Sequence, residues 1–214
     1  AGNGSFMDWD IFNKPDKGST NGYTHIAVKA ESTDNTLASA KILNSDMDKE
    51  YLGRYSTKGG YGFGMLKQTM AGFPHFTDGV FKGEFPIMEL SLKDKSFPGK
   101  AKLTAFNPFI PLNEDDSSIP GAFFEVELKN DTDKPLYYTV CFSVKNPYVK
   151  GINKYMPSSK AESIFMMNAD KDKNDIEYGD LCLSIVKQKD AETTYQTHWF
   201  RGVWQDGIET FWND

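Results

Sequence analysis

The sequence predicts an all-β protein, an antiparallel β-sandwich with a short C-terminal helix. Three observations predict this class: runs in which apolar and polar residues alternate, turn-forming residues between those runs, and only one segment with helical spacing. The chain has 214 residues, of which 39% are hydrophobic and 14% aromatic, enough to build a core. We therefore predict a single β-sandwich domain over residues 1–214.

Four apolar-rich runs in the first half of the chain predict strands. They occupy residues 23–30, 36–43, 85–92 and 102–106, and their connections carry Gly, Pro, Asn and Asp. The glycine-rich segment 59–64, GGYGFG, lacks the spacing of a phosphate-binding loop. We interpret this segment as a bend or bulge where two backbones approach closely.

The clearest strand signal lies in residues 122–129, AFFEVELK, where every second residue is apolar. The turn-forming segment 130–135, NDTDKP, separates it from a second alternating run at residues 136–144. Together the two runs predict an antiparallel hairpin. Further strands are predicted at residues 163–167, 181–186 and 193–200.

Residues 203–214 carry the helical spacing. Trp204, Ile208 and Phe211 fall at positions i, i+4 and i+7 and form one apolar stripe, which Trp212 widens. We predict a short C-terminal helix whose stripe is a docking surface for another domain. In isolation the chain would then expose an apolar patch at this stripe.

Charge and hydropathy exclude two classes of partner. The chain has 24 basic and 30 acidic residues and no basic stripe that would neutralise phosphates, so no nucleic-acid partner is expected. No apolar run reaches about 18 residues, so no transmembrane segment is expected. The missing initiator Met indicates a processed protein or a piece of a longer chain. The compartment stays open, with the cytoplasm favoured over a secreted bacterial form.

Metal ligands are sparse, and no cofactor is expected. Asp170, Asp172 and Asn174 match the first three ligand positions of a calcium loop. However, Asp175 replaces the turn glycine of such a loop, and Leu181 replaces its bidentate Glu. We interpret the segment as a solvated loop and keep Ca²⁺ binding as the alternative.

Neither the cysteines nor the histidines have the spacing of a metal site. Cys141 and Cys182 are predicted to be packed thiols, with a bridge between neighbouring strands left open. His25, His75 and His198 lie in different segments, and His25 and His198 are predicted at alternating positions within strands.

An acidic triplet, Glu114 to Asp116, precedes two serines in a loop bracketed by prolines. Glycosidases hold two carboxylates about 5 to 10 Å apart on either side of one bond. Consecutive residues point to opposite sides of an extended chain or fan into water, so the triplet is a poor catalytic pair. Asp116, Ser117 and Ser118 instead predict a turn that is capped by hydrogen bonds from side chain to backbone.

Four stretches in the same order carry a family resemblance: residues 4–18, 83–92, 105–130 and 177–214. They resemble the N-terminal domain of glycoside hydrolase family 116, which includes bacterial β-glucosidases and non-lysosomal glucosylceramidases. The resemblance implies a supersandwich-like N-terminal β-sandwich that packs on a C-terminal (α/α)6 helical domain. It also implies that the Glu nucleophile and the Asp acid/base of the retaining mechanism belong to the helical domain. No catalytic residue is therefore assigned to residues 1–214.

The resemblance further implies a partner and a substrate. The partner is the helical catalytic domain of the same parent chain, and the substrate is a β-glucoside or a glucosylated lipid that the parent binds. Candidates for the substrate entrance or for the interdomain contact combine charged groups with stacking rings: Asp8, Trp9, Asp115, Asp116, Arg201 and Trp204. The alternative is a freestanding carbohydrate-binding or adhesion-type sandwich.

Overall fold

A computed structural model describes residues 2–6, 10–11, 14–15, 24–46, 74–148, 150–176 and 178–199. The predicted C-terminal helix at residues 203–214 and the glycine-rich segment 59–64 lie outside the described residues. The chain divides into two compact units, Ala1–Lys145 and Asn146–Asp214, here called the first and the second unit. The single domain over residues 1–214 stays a prediction.

The structure confirms the all-β class, since strands dominate the described residues. In the first unit the elements are β1 (Asp10–Ile11), β2 (Lys14–Pro15), β3 (His25–Ser32), β4 (Ala38–Ile42), β5 (Asp78–Glu84), β6 (Ile87–Lys93), β7 (Lys100–Phe106), α1 (Glu114–Ser117), β8 (Phe123–Lys129) and β9 (Leu136–Ser143). In the second unit they are β10 (Gly151–Tyr155), β11 (Ala161–Asn168) and β12 (Asp180–Val186).

The first unit is an antiparallel β-sandwich. One sheet has the strand order β4-β3-β9 and the other β5-β6-β7-β8, and β1 and β2 form a separate two-stranded ribbon. Val28 of β3, Leu90 of β6 and Leu103 of β7 are at most 1% exposed and belong to one apolar cluster. Because that cluster draws side chains from both sheets, the core lies between them, as face-to-face sheet packing requires.

The predicted hairpin of residues 122–129 and 136–144 is wrong. β8 pairs with β7, whereas β9 pairs with β3 in the opposite sheet. Alternation marks the inward side chains correctly, since Phe124 and Val126 from one sheet and Phe142 from the other pack against the core. A hairpin and a crossing between sheets show the same alternation, so the pattern does not distinguish them. The six-residue connection 130–135 is long enough to span sheets about 10 Å apart.

A buried ion pair joins the two sheets of the first unit. Lys41 of β4 lies 3.1 Å from the carboxylate of Asp94, which directly follows β6. Lys41 Nζ also donates to the carbonyl oxygen of His75 at 3.0 Å. The Asp94 carboxylate accepts hydrogen bonds from the amide of Thr77 and from the amide and hydroxyl of Ser96. The polar atoms of both side chains therefore have partners despite their burial.

The second unit is a three-stranded antiparallel sheet with the strand order β10-β11-β12. The strand predicted at residues 193–200 is wrong over residues 193–199, which have no strand pairing. This segment is held by other contacts: Asn153 of β10 donates to the carbonyl oxygen of Thr197 at 2.6 Å, and Tyr195 stacks on Tyr155.

Candidate functional site

The acidic triplet forms α1, a single helical turn on the surface. Asn113 is its N-cap, and the Asn113 side-chain oxygen accepts from the amide of Asp116 at 3.0 Å. Ser117 Oγ donates to the carbonyl oxygen of Ile110, and Ser118 Oγ donates to that of Asp115. The predicted capping by side chains is therefore confirmed for both serines. It is wrong for Asp116, whose carboxylate accepts from the Asn113 side chain instead of a backbone group. Asn113 is the capping residue that the sequence did not reveal.

A set of mostly exposed large hydrophobic side chains lies at the end of the four-stranded sheet where the loop that carries α1 joins β7 and β8. Its members are large hydrophobic side chains at one end of the four-stranded sheet and in residues 107–122. We call them the apolar rim: Phe85, Ile87, Phe106, Phe109, Ile110, Leu112, Ile119 and Phe123. All except the half-buried Phe106 are among the exposed large hydrophobic residues, and Leu112 is fully exposed.

Strand register places part of the apolar rim on the outer face of the sheet. Ile87 is the partner of Phe106, and Phe106 is the partner of Phe123, so the three form one row across β6, β7 and β8. Adjacent Met88 and Phe124 pack against the core. Because successive side chains of a strand point to opposite faces, the row lies on the face turned away from the core.

Local contacts fix the apolar rim in place. The rings of Phe106 and Phe123 are stacked with centroids 5.2 Å apart, and Phe85 meets Phe109 edge to face at 5.1 Å. Asn107 Nδ2 donates to the carbonyl oxygen of Gly121 at 2.6 Å, which closes the loop that carries α1. The two ring contacts thus join four members of the rim in pairs, and the hydrogen bond holds the two ends of the loop together.

Leu112 combines full exposure with an unfavourable backbone conformation. Its φ of 65° lies in the left-handed region, which a leucine rarely adopts. The turn before α1 requires this conformation, since the amide of Asn113 donates to the carbonyl oxygen of Ile110 at 3.0 Å. Neither burial nor backbone preference in the described structure accounts for a leucine at this position.

The structure describes only two of the six candidates for the substrate entrance. Asp115 and Asp116 are exposed on α1, within the loop of the apolar rim. Asp8, Trp9, Arg201 and Trp204 lie outside the described residues, as do the docking candidates Ile208, Phe211 and Trp212. The entrance and docking assignments therefore stay predictions.

The calcium candidates are engaged in local contacts. Asp170 pairs with Lys150 at 3.3 Å, and Asp172 accepts from the amide and the side chain of Asn174, both at 2.9 Å. Throughout the described residues, no group of three His, Cys, Asp or Glu side chains is close enough to hold a metal ion. These contacts match the Asx turns of a solvated loop.

Two assignments made from the sequence need correction. Cys182 is exposed on β12, so the prediction that it is a packed thiol is wrong, whereas Cys141 is half-buried, and the two cysteines do not form a disulfide with each other. His198 lies outside any strand, so its predicted strand position is wrong, whereas His25 lies in β3 and is buried, which confirms its predicted strand position. Among the described residues, no helix is long and apolar enough to cross a membrane.

Fold and site together place the chain in the class of all-β sandwich domains with an exposed apolar surface. A family model described as "beta-glucosidase 2, glycosyl-hydrolase family 116 N-term" matches residues 1–214, the whole chain. The chain therefore belongs to the N-terminal domain family of glycosyl-hydrolase family 116, which confirms the resemblance seen in the sequence. No curated protein matches the chain.

Proposed function

We propose that the chain is the non-catalytic N-terminal domain of a family 116 β-glucosidase or glucosylceramidase and that it braces the helical catalytic domain of the same polypeptide. The observation that supports this role is the apolar rim. Burial of one large apolar side chain contributes about 1.5 to 3 kcal/mol, so a partner that covers several of the eight members gains substantial free energy. Strand register and ring contacts connect the sheet-end members of the rim, and exposed apolar patches mark interaction surfaces.

Charge around the apolar rim fits the periphery of an interface. Glu114, Asp115 and Asp116 are exposed on α1 and follow the rim residues Ile110 and Leu112 in the same loop. Interfaces between domains commonly have an apolar centre and a polar periphery. In this proposal the rim packs on the catalytic domain, and Asp115 and Asp116 lie at the edge of the contact, where they line the substrate entrance.

Catalysis in this proposal belongs to the partner domain. A retaining glycosidase needs two carboxylates about 5 to 5.5 Å apart on opposite sides of the bond. The described acidic triplet is instead arranged as a helical turn, in which Asp116 accepts a hydrogen bond from the Asn113 side chain at 2.7 Å. The β-glucoside or glucosylated lipid is therefore bound mainly by the helical domain.

Replacing Leu112 by Asn tests the docking role, because it removes an apolar group that nothing covers in the isolated domain. Asn tolerates the left-handed conformation better than Leu, so the melting temperature of isolated residues 1–214 should stay constant or rise slightly. In the full-length parent enzyme the same change should lower the melting temperature and the activity on a β-glucoside.

The matched control is Ile176→Asn, since Ile176 is 94% exposed in a loop of the second unit and outside the apolar rim. It should leave both proteins unchanged. A full-length parent that tolerates Leu112→Asn as well as it tolerates the control would contradict docking through the rim.

A further inference from the structure

The strand β5 lies at one edge of the four-stranded sheet of the first unit. It pairs with β6 on one side, and among the described residues it has no strand partner on the other side. Every residue of β5 is exposed, with Val80 at 70% and Phe81 at 46%. The backbone amide and carbonyl groups that point away from β6 are therefore a template for a further strand.

β5 lacks the features that usually block pairing at a sheet edge. Its described residues contain no proline, and its register with β6 is unbroken over the whole strand, without a bulge. Phe81 pairs with the buried Leu90, so the inward positions of β5 are those of Gly79, Phe81 and Gly83. No charged side chain of β5 is therefore turned toward the core.

The outward side chains of β5 are complementary to a second copy of the same strand. When two copies lie antiparallel about a two-fold axis through Val80, Asp78 of each copy is opposite Lys82 of the other. Opposite charges at directly paired positions stabilise a sheet. Within one chain Lys82 lies 3.1 Å from Glu84, a solvent-exposed pair that is worth little and leaves ammonium protons for the other copy.

Other symmetric registers of two β5 strands match less well. An axis one residue further along the strand places Asp78 opposite Glu84, and a second step places Lys82 opposite its own copy. In the charge-matched register, Phe81 of one copy lies opposite Gly79 of the other, which has no side chain to obstruct the ring. An aromatic residue paired with a glycine is a favourable arrangement at a sheet edge.

We propose that two copies of the chain associate through β5 and join their four-stranded sheets into one continuous antiparallel sheet. A second copy is the partner that the order of charges along β5 matches, since the two-fold axis exchanges acid and base. The contact is short, so the dimer is reversible. It is centred on residues 78–82 and includes no member of the apolar rim, so the inference does not rest on the docking role.

Charge reversal tests this dimer in sedimentation equilibrium of the 214-residue chain. The unmodified chain should dimerise with a dissociation constant on the order of 10 to 100 µM. Lys82→Asp and Asp78→Lys each place like charges opposite each other, so each variant alone should dimerise at least about 10-fold more weakly. An equimolar mixture of the two variants should form a heterodimer about as tightly as the unmodified chain, because every such pair is again acid with base.

Val80→Lys gives an independent loss of the dimer, because it places two ammonium groups together at the axis. Lys154→Asp is the matched control, since Lys154 is exposed on β10, an edge strand of the second unit, and it should leave the dimer unchanged. Circular dichroism identifies the variants that are folded. An unmodified chain that is monomeric at about 500 µM would overturn the proposal. A dimer that survives in folded Val80→Lys, or folded charge-reversal variants that do not associate when mixed, would overturn it as well.

Discussion

Replacement of Lys41 by Met tests how the two sheets of the first unit are held together. The side chains of Lys41 and Asp94 are only 8% and 5% exposed. Removing one member of a buried pair leaves an uncompensated charge, which costs about 3 to 5 kcal/mol. Thr77 and Ser96 still donate to the Asp94 carboxylate in this variant. We therefore expect the free energy of unfolding to fall by about 3 kcal/mol, the lower end of that range.

The partner variant Asp94→Asn completes a double-mutant cycle. It removes the opposite charge beside the buried Lys41 ammonium and leaves neutral acceptors such as the His75 carbonyl oxygen, so its cost in unfolding free energy should be similar. The double variant Lys41→Met/Asp94→Asn removes both charges together. Its loss should fall short of the sum of the single losses by about 2 kcal/mol, the coupling expected for a contacting pair.

The pH dependence gives the pair a second signature. Burial raises the pKa of Asp94, but hydrogen bonds from Ser96 and Lys41 outweigh this effect and hold the pKa well below its usual range. A lowered pKa contributes stability above the unfolded-state value of about 3.9, and that stability is lost as the pH falls toward the folded-state value. The stability difference between the unmodified chain and Asp94→Asn should therefore be constant from about pH 5 to 7 and shrink below about pH 4.

Urea denaturation followed by circular dichroism measures these free energies of unfolding, provided that the slope against urea stays the same among the variants. A cost below about 1 kcal/mol for Lys41→Met would refute the reasoning, because that is the range of solvent-exposed ion pairs. Strict additivity in the cycle would refute it independently.

Three further predictions concern stability. Gly99→Ala should lower the free energy of unfolding by about 2 kcal/mol or more in urea denaturation. The φ of Gly99 is +114°, and an added Cβ would lie 2.3 Å from the Lys129 carbonyl oxygen. The control Gly121→Ala should be nearly neutral, because the atom nearest to an added Cβ there is 3.9 Å away. Leu103→Ala should cost about 2 to 5 kcal/mol in the same assay, since Leu103 is 1% exposed in the core. A chelator should leave the melting temperature unchanged. The contrary outcome is a melting temperature that falls with chelator and recovers with added Ca²⁺. If Asp172→Asn abolished that fall, the loop of residues 170–174 would be shown to bind the ion.

Alternation predicted the core faces well and the strand pairing poorly. In β8 every second side chain faces the core, as the sequence indicates, but its pairing with β7 depends on long-range contacts that the pattern does not encode. The strands β5 and β10 were not predicted. Every residue of β5 is exposed and two of them are glycines, so its sequence lacks the alternation of apolar residues that marks a half-buried strand. The segment 193–199 has strand-like composition, yet ring stacking and a side-chain hydrogen bond hold it instead of strand pairing.

The candidate site was predicted less well than the fold. The capped turn of Ser117 and Ser118 could be read from the sequence because such hydrogen bonds are local. The apolar rim could not, because apolar residues are assigned to the core by default and their exposure depends on which strands are neighbours. A usable signal was present at Phe123, which is apolar on the face of β8 that otherwise carries Glu125 and Glu127.

The apolar residue at Phe123 belongs to a pattern that predicts how far the proposed docking surface extends over the sheet. A strand covered on both faces shows consecutive apolar residues instead of alternation. Such doublets occur at Phe123–Phe124 in β8, at Ala105–Phe106 in β7 and at Ile87–Met88 in β6, and register aligns all three. The next outward row is polar: Glu125 pairs with Thr104 and Thr104 with Glu89, whose carboxylate binds Lys102. Burying the row that contains Thr104 would require polar partners for its charged groups. We therefore expect a docking partner to cover the apolar row of Phe106 and to leave the row of Thr104 exposed to solvent.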